Sequence, residues 1–135
     1  MTDVPTDRYT RPFWEGLANG EFHINWCSVC DSPFFPPAPV CPFCGDRDVS
    51  WQEVDPTGRL YSFTRQHTVA LGFEAPLVLG LVELDAGPRL LAPIAAPYED
   101  LTIGTAVELV PVEYDRGYNR GDLAGHPYFE AVPAE

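Results

Sequence analysis

The spacing of apolar positions changes near residue 20. Phe13, Trp14, Leu17 and Ala18 recur at helical spacing and share one face. Thr10 precedes them as an N-cap, Pro12 suits a first turn, Glu15 sits near the positive end and Gly20 stops the run. From Phe22 the period is two: Phe22, Ile24 and Trp26 alternate with His23 and Asn25, which predicts a strand with His23 on its solvent face and not on a metal.

Further on, "DVSWQEV" predicts a strand, Pro56-Thr57-Gly58 a turn, and the following residues a long strand to about Val69. "PLVLGLVEL" (76–84) is nearly all apolar and reads as a central strand, with Gly80 marking a bulge or a close approach. "RLLAPI" (89–94) returns after the turn "DAGP", and "AAPYEDLTIGT" is a connection with one helical turn. "AVELVPVEY" (106–114) alternates again, "DRGYNRGDLAGHP" is a glycine-punctuated loop, and "YFEAVP" is a last short strand. Short strands at this spacing predict a mainly β chain closing a five-stranded barrel of oligonucleotide/oligosaccharide-binding (OB) type. The division expected is an N-terminal arm and helix (1–21), a ribbon (22–50) and an OB-fold (51–135).

One stretch breaks both periods. "CSVCDSPFFPPAPVCPFCG" carries Cys27, Cys30, Cys41 and Cys44, the only cysteines in the chain. Each two-residue gap turns a pair of sulfurs inward on a tight loop, and two such loops make a tetrahedral thiolate site. Pro33, Pro36, Pro37, Pro39 and Pro42 stiffen the insert and reduce its unfolded freedom. Two disulfides or a redox C-x-x-C pair are the alternatives. The opening "MTDVPTDRYTRPFW" has no apolar run, so a cytoplasmic chain with reduced thiols is expected. Four protein thiolates leave no open coordination position, so the metal is expected to be structural: one zinc per chain, with iron as the alternative occupant, since "CPFCG" equally suits a rubredoxin knuckle.

Charge narrows the function. The 135 residues include 20 acidic and 8 basic side chains, for a formal −12, and every basic residue is arginine. Such a chain lacks the basic face that neutralises phosphates in general nucleic-acid binding, though an arginine or two can hold a small anion. No stretch approaches ~18 consecutive apolar residues, the length of a membrane span. With all thiols in the metal site, no cysteine nucleophile is left. Neither a G-x-S-x-G elbow, an H-E-x-x-H pair nor a glycine-rich phosphate loop is present, and His23, His67 and His126 lie far apart. Tyr61, Phe63, Arg65 and His67 alternate along the long strand and form a candidate ligand-binding face, for stacked bases or for the adenine and phosphates of coenzyme A. The barrel wall is the alternative reading of these four. Phe13 and Trp14 on the helix need a surface to cover them, either the chain's own ribbon or core or another chain; they, with Tyr118 and Arg120 in the glycine-rich loop, are of the types that anchor partner interfaces.

"PFWEGLANGEF", the cysteine ribbon, "GRLYSFTRQH", "PLVLGLVEL" and "IGTAVEL" occur here in an order that resembles the zinc-ribbon plus OB-fold family first catalogued as domain of unknown function 35. The resemblance runs from about Arg11 to Val132. Asp31 departs from it, where many relatives have glycine. The resemblance implies an acyl-CoA-associated, non-catalytic subunit or scaffold of a thiolase-like enzyme. Its expected partners are a lipid-transfer-protein-like aldolase, as in steroid side-chain degradation, and a hot-dog-fold enoyl-CoA hydratase. The barrel is then expected to shape the substrate or CoA channel and stabilise the complex. The competing readings are a nucleic-acid-binding ribbon/OB protein, a free-standing enzyme or an iron electron carrier.

Overall fold

The computed structural model describes residues 9–69, 74–113 and 127–134. Helix α1 (Arg11–Ala18) starts after Thr10, whose carbonyl accepts from the Phe13 and Trp14 N–H groups although its side chain makes no cap hydrogen bond. It stops at Gly20, which takes a positive φ of 78°. β1 (His23–Cys27) then runs antiparallel between β2 (Ser32–Phe34) and β3 (Val49–Glu53). β2 has no alternating signature in sequence. Proline is tolerated there because the strand is three residues long and lies at the sheet's edge. β3 pairs with β1, so the "VSWQE" strand extends the ribbon sheet and does not open the barrel.

The second sheet contains β4 (Thr57–Gln66), β5 (Leu77–Leu84), β6 (Arg89–Pro93), β7 (Ala106–Val112) and β8 (Tyr128–Pro133), in the order β6-β5-β4-β7-β8. A parallel bridge from Ile94 to Ala131, with the Ala95 N–H donating to the Ala131 carbonyl at 2.8 Å, joins the two edges and closes the barrel. A 3-10 turn, Tyr98–Asp100, occupies the connection where a helical turn was expected.

One apolar core joins helix, ribbon strand and barrel. Phe13, Leu17, Phe22 and Ile24 pack with Leu60, Val82, Leu84, Leu109 and Phe129. A satellite cluster of Cys27, Phe34 and Cys41, with Ala38 and Val49 against it, underlies the ribbon. Gly80 is a close approach: a Cβ there would stand 2.8 Å from Ile94 Cδ1 and 2.9 Å from Leu60 Cδ2. Of the two readings of Gly80 the close approach holds, and the ladder's irregularity lies on the neighbouring strand, on β4 between Leu60 and Ser62. Among the described residues, no helix is long and apolar enough to cross a membrane.

Candidate metal centre and barrel-end cluster

The four cysteine sulfurs converge. All ligand atoms lie within 4.8 Å of one another, with Cys27 to Cys44 and Cys30 to Cys41 each at 3.6 Å. A disulfide bond would be about 2.05 Å. Sulfurs at the corners of a tetrahedron with metal–sulfur bonds of ~2.3 Å stand roughly 3.8 Å apart, which fits the donor set. Cys27 and Cys41 are buried, whereas Cys30 and Cys44 are exposed at the knuckle tips.

The backbone prepares the cluster for thiolate. The Phe43 N–H donates to Cys41 Sγ at 3.4 Å. Burial pushes the Cys41 thiol up, but the backbone of Cys44 and Phe43 and the adjacent Cys30 and Cys44 thiols outweigh it and bring Cys41 down to about 7. At Cys44 the backbone of Asp46 pulls downwards. Burial and the Cys27, Cys41 and Cys30 sulfurs prevail and push it up to about 12. The Ser32 hydroxyl lowers Cys30, and burial with the Cys41 and Cys27 sulfurs raises it to a net increase. Four thiolates packed this closely need a cation to hold them together.

Two side chains missed from sequence organise the ribbon. Asn25 was placed with the solvent-face residues of β1, yet it is 2% exposed. Its Oδ1 accepts the Ala38 N–H at 3.0 Å and its Nδ2 donates to the Ser50 carbonyl at 3.5 Å, tying the proline loop to β1 and β3. Both faces of β1 are covered, one by the core and one by the ribbon, so its polar position is not a solvent position. Asp31 adopts φ +53° and accepts a hydrogen bond from Trp26 Nε1. His23 stands apart from the sulfurs: it is half-buried, its Nδ1 packs over Gly16, and its Nε2 lies 4.0 Å from Glu21.

The predicted ligand face is divided. The register shift after Leu60 inverts the strand's parity, as an extra residue must. Tyr61 is turned to the outer surface, under the guanidinium of Arg89 at 3.8 Å, and Arg89 also pairs with Glu83 at 3.1 Å. Phe63, opposite Gly80, packs against the core and meets Tyr98 edge-on at 5.4 Å. Arg65 lies over the same Tyr98 ring at 4.8 Å and pairs with Glu99 at 3.0 Å. His67 follows the end of β4 and is exposed. The barrel end thus gathers Phe63, Arg65, Tyr98 and Glu99, and Tyr61 is not one of them. Tyr98 and Glu99 had no periodic signal and could have been found only through the turn that carries them.

The helix aromatics divide between the two readings of their face. Phe13 is 2% exposed, with ring contacts to Trp14, Phe22, Phe35 and Phe129. Two large aromatics on a short helix needed cover, and the chain's own core supplies it for Phe13. Trp14 is half-buried and stacks on Tyr128. Tyr118 and Arg120 lie outside the described residues.

Comparison with known proteins agrees with this geometry. Residues 14–50 match the "ChsH2, rubredoxin-like zinc ribbon domain" and residues 51–112 the "ChsH2, C-terminal OB-fold domain". The 50/51 boundary falls within β3. A probable enoyl-CoA hydratase alpha subunit from Thermomonospora curvata is 36% identical over 106 residues, 76% of this chain and 33% of that protein. A DUF35 domain-containing scaffold protein from Methanocaldococcus jannaschii is 33% identical, over 62% of each chain. The chain therefore spans about a third to three-fifths of the curated relatives it matches. Among solved structures, a chain of the "Ltp2-ChsH2(DUF35) aldolase" superposes with a TM-score of 0.79 at 28% identity, covering 98% of this chain and 99% of that one. A DUF35 protein of unknown function from Sulfolobus solfataricus, at 16% identity and TM-score 0.64, shares the fold.

Proposed function

We propose, from the premise that the chain belongs to the zinc-ribbon plus OB-fold (DUF35) family, that it is a non-catalytic scaffold subunit of a thiolase-like enzyme or aldolase acting on acyl-CoA. Retro-aldol cleavage of a steroid side-chain CoA thioester is the reaction we favour. The observation that carries this is the near-complete superposition on a chain of the Ltp2-ChsH2(DUF35) aldolase. The chemistry of the chain supports it. Its four thiols form one closed cluster, which leaves no cysteine for acyl transfer. A partner must then supply the nucleophile or base and the oxyanion site.

In this reading Cys27, Cys30, Cys41 and Cys44 hold one structural zinc, with iron as the substitute. The metal supplies charge neutralisation and folding energy, and no reaction step. Phe63 and Arg65, with His67 beyond them, face the CoA portion of the substrate at the barrel end. The protein is cytoplasmic, and its partners are a lipid-transfer-protein-like aldolase and a hot-dog-fold enoyl-CoA hydratase. The test is to express that aldolase from the same organism with and without this chain and to assay carbon–carbon cleavage of the acyl-CoA. Cleavage is expected only with both. Equal solubility and activity without the chain would remove the subunit role, and turnover by the chain alone would remove the non-catalytic one.

A further inference from the structure

Three surface hollows converge on the β5–β6 turn. One, of about 640 Å³, is lined by Glu53, Val54, Asp55, Asp85 and Ala86. A second, of about 380 Å³, shares Asp85, is walled by Arg59, Glu83 and Leu84, and reaches Gly87. A third, of about 470 Å³, continues from Gly87 through Pro88 and Arg89 to Pro33, Phe34 and Phe43. The turn touches the ribbon, since a Cβ on Gly87 would stand 3.3 Å from Pro33 Cγ. The hollows therefore form one trough along the ribbon–barrel junction, acidic at one end and apolar at the other.

The apolar end is unusually open. Phe43 is 69% exposed, and Arg89, which lines the same hollow, carries the surface onward to Tyr61 stacked beneath it. Leu91, two residues along β6 on the same strand face, is 59% exposed. Large apolar groups gathered in this way mark an interaction site. Charge selects the occupant. Of the two arginines in the trough, Arg89 is paired with Glu83 and Arg59 donates to the Gly104 carbonyl, so Glu53, Asp55 and Asp85 set the charge of its far end; they repel a second copy of this chain, which would bring the same carboxylates, and repel phosphates likewise.

We propose that this trough is the docking surface for a segment of the catalytic partner that presents a large apolar side chain flanked by lysine or arginine. The apolar side chain seats between Pro33, Phe43 and Pro88, and the cations meet Glu53, Asp55 and Asp85. Tyr61, divided from the barrel-end cluster by the β4 bulge, belongs to this surface. The inference rests on the subunit reading above and specifies which face the partner meets.

The experiment uses the full chain and the lipid-transfer-protein-like aldolase of the same organism, with affinity measured by calorimetry at low and high salt. Wild type is expected to bind, and to bind more weakly at high salt. Phe43→Ser with Leu91→Ser, and separately Glu53→Lys with Asp55→Lys, should each weaken binding by about tenfold or more, the second pair also flattening the salt dependence. Retained metal and an unchanged circular dichroism spectrum show that these variants fold. Wild-type binding that survives both double substitutions but is lost in Trp14→Ala would move the interface to the helix and overturn this inference, leaving the subunit reading intact. No binding by wild type would overturn both.

Discussion

Trp26 Nε1 donates to Asp31 Oδ1 at 2.9 Å, across the first knuckle of the ribbon. Asp31 sits at φ +53°, the left-handed region that glycine takes most readily and that aspartate tolerates better than most residues. The carboxylate thus offsets, with one hydrogen bond, the conformational freedom that glycine would bring. Asp31→Ala should lose the bond while keeping the strain and destabilise the ribbon by about 1 kcal/mol. Asp31→Gly should remain within about 0.5 kcal/mol of wild type, because the loss and the relief nearly cancel. Thermal unfolding of the metal-loaded protein checks the order; an Ala variant as stable as wild type would show that the bond contributes nothing, and one as stable as the Gly variant that the left-handed backbone carries no strain.

The sulfur cluster should bind about one metal per chain, and Cys41→Ser should lose it along with most soluble protein, since binding energy is folding energy in such ribbons. Elemental analysis decides between zinc and iron. Affinity should rise with pH. Cys44 is held near 12 and Cys30 is also raised, so metal must displace their protons at neutral pH. Each displaced proton makes affinity climb about tenfold per pH unit. A chelator-competition titration that is flat with pH would contradict the four-thiolate site.

Two glycines should rank differently when replaced by alanine. At Gly80 the new methyl meets the ends of Ile94 and Leu60, so overpacking should cost about 1–3 kcal/mol. Ile94→Val removes the nearer obstructing atom, Cδ1, and should recover part of that loss. At Gly58 the obstruction is the backbone carbonyl of Glu83, which cannot turn aside. Gly58→Ala should therefore be the more damaging, with no side-chain rescue. Denaturant unfolding of the three variants gives the comparison.

Asn25 should prove worth more than a surface polar residue. Asn25→Ala orphans the Ala38 N–H and frees the proline loop, at a cost of about 1–3 kcal/mol. Amide hydrogen exchange at Ala38 should quicken in that variant. Unchanged exchange there would mean that the loop is held by its prolines alone.

What the chain disclosed in advance follows from where its signals are local. The cysteine spacing carries the ribbon because ligand geometry is set within each two-residue gap. Period-two runs such as Ala106–Val112 survive because each buries one face. Asn25 was misplaced because β1 is covered on both sides, which alternation does not encode. Tyr61 was grouped with Phe63 because a single extra residue on β4 inverts parity without changing composition. Phe13 left two readings open because an apolar helix face looks the same whether the chain's own core or a partner covers it.

The barrel-end cluster yields the last prediction. The Arg65–Glu99 pair is substantially exposed, 39% and 70%, so it adds little to folding. Arg65→Ala should leave unfolding nearly unchanged. If the guanidinium meets an anionic part of the acyl-CoA, the variant should raise the apparent KM of the assembled enzyme more than it lowers kcat. Glu99→Gln should act in the opposite sense. It removes the charge that competes for Arg65 while Tyr98 still supports the guanidinium, so KM should fall. Steady-state kinetics of the reconstituted complex, with metal content held constant, separate the outcomes. Opposed shifts in KM place Arg65 on the substrate. Unchanged kinetics in both variants would make Phe63, Arg65 and Tyr98 a clasp between β4 and the 3-10 turn and nothing more.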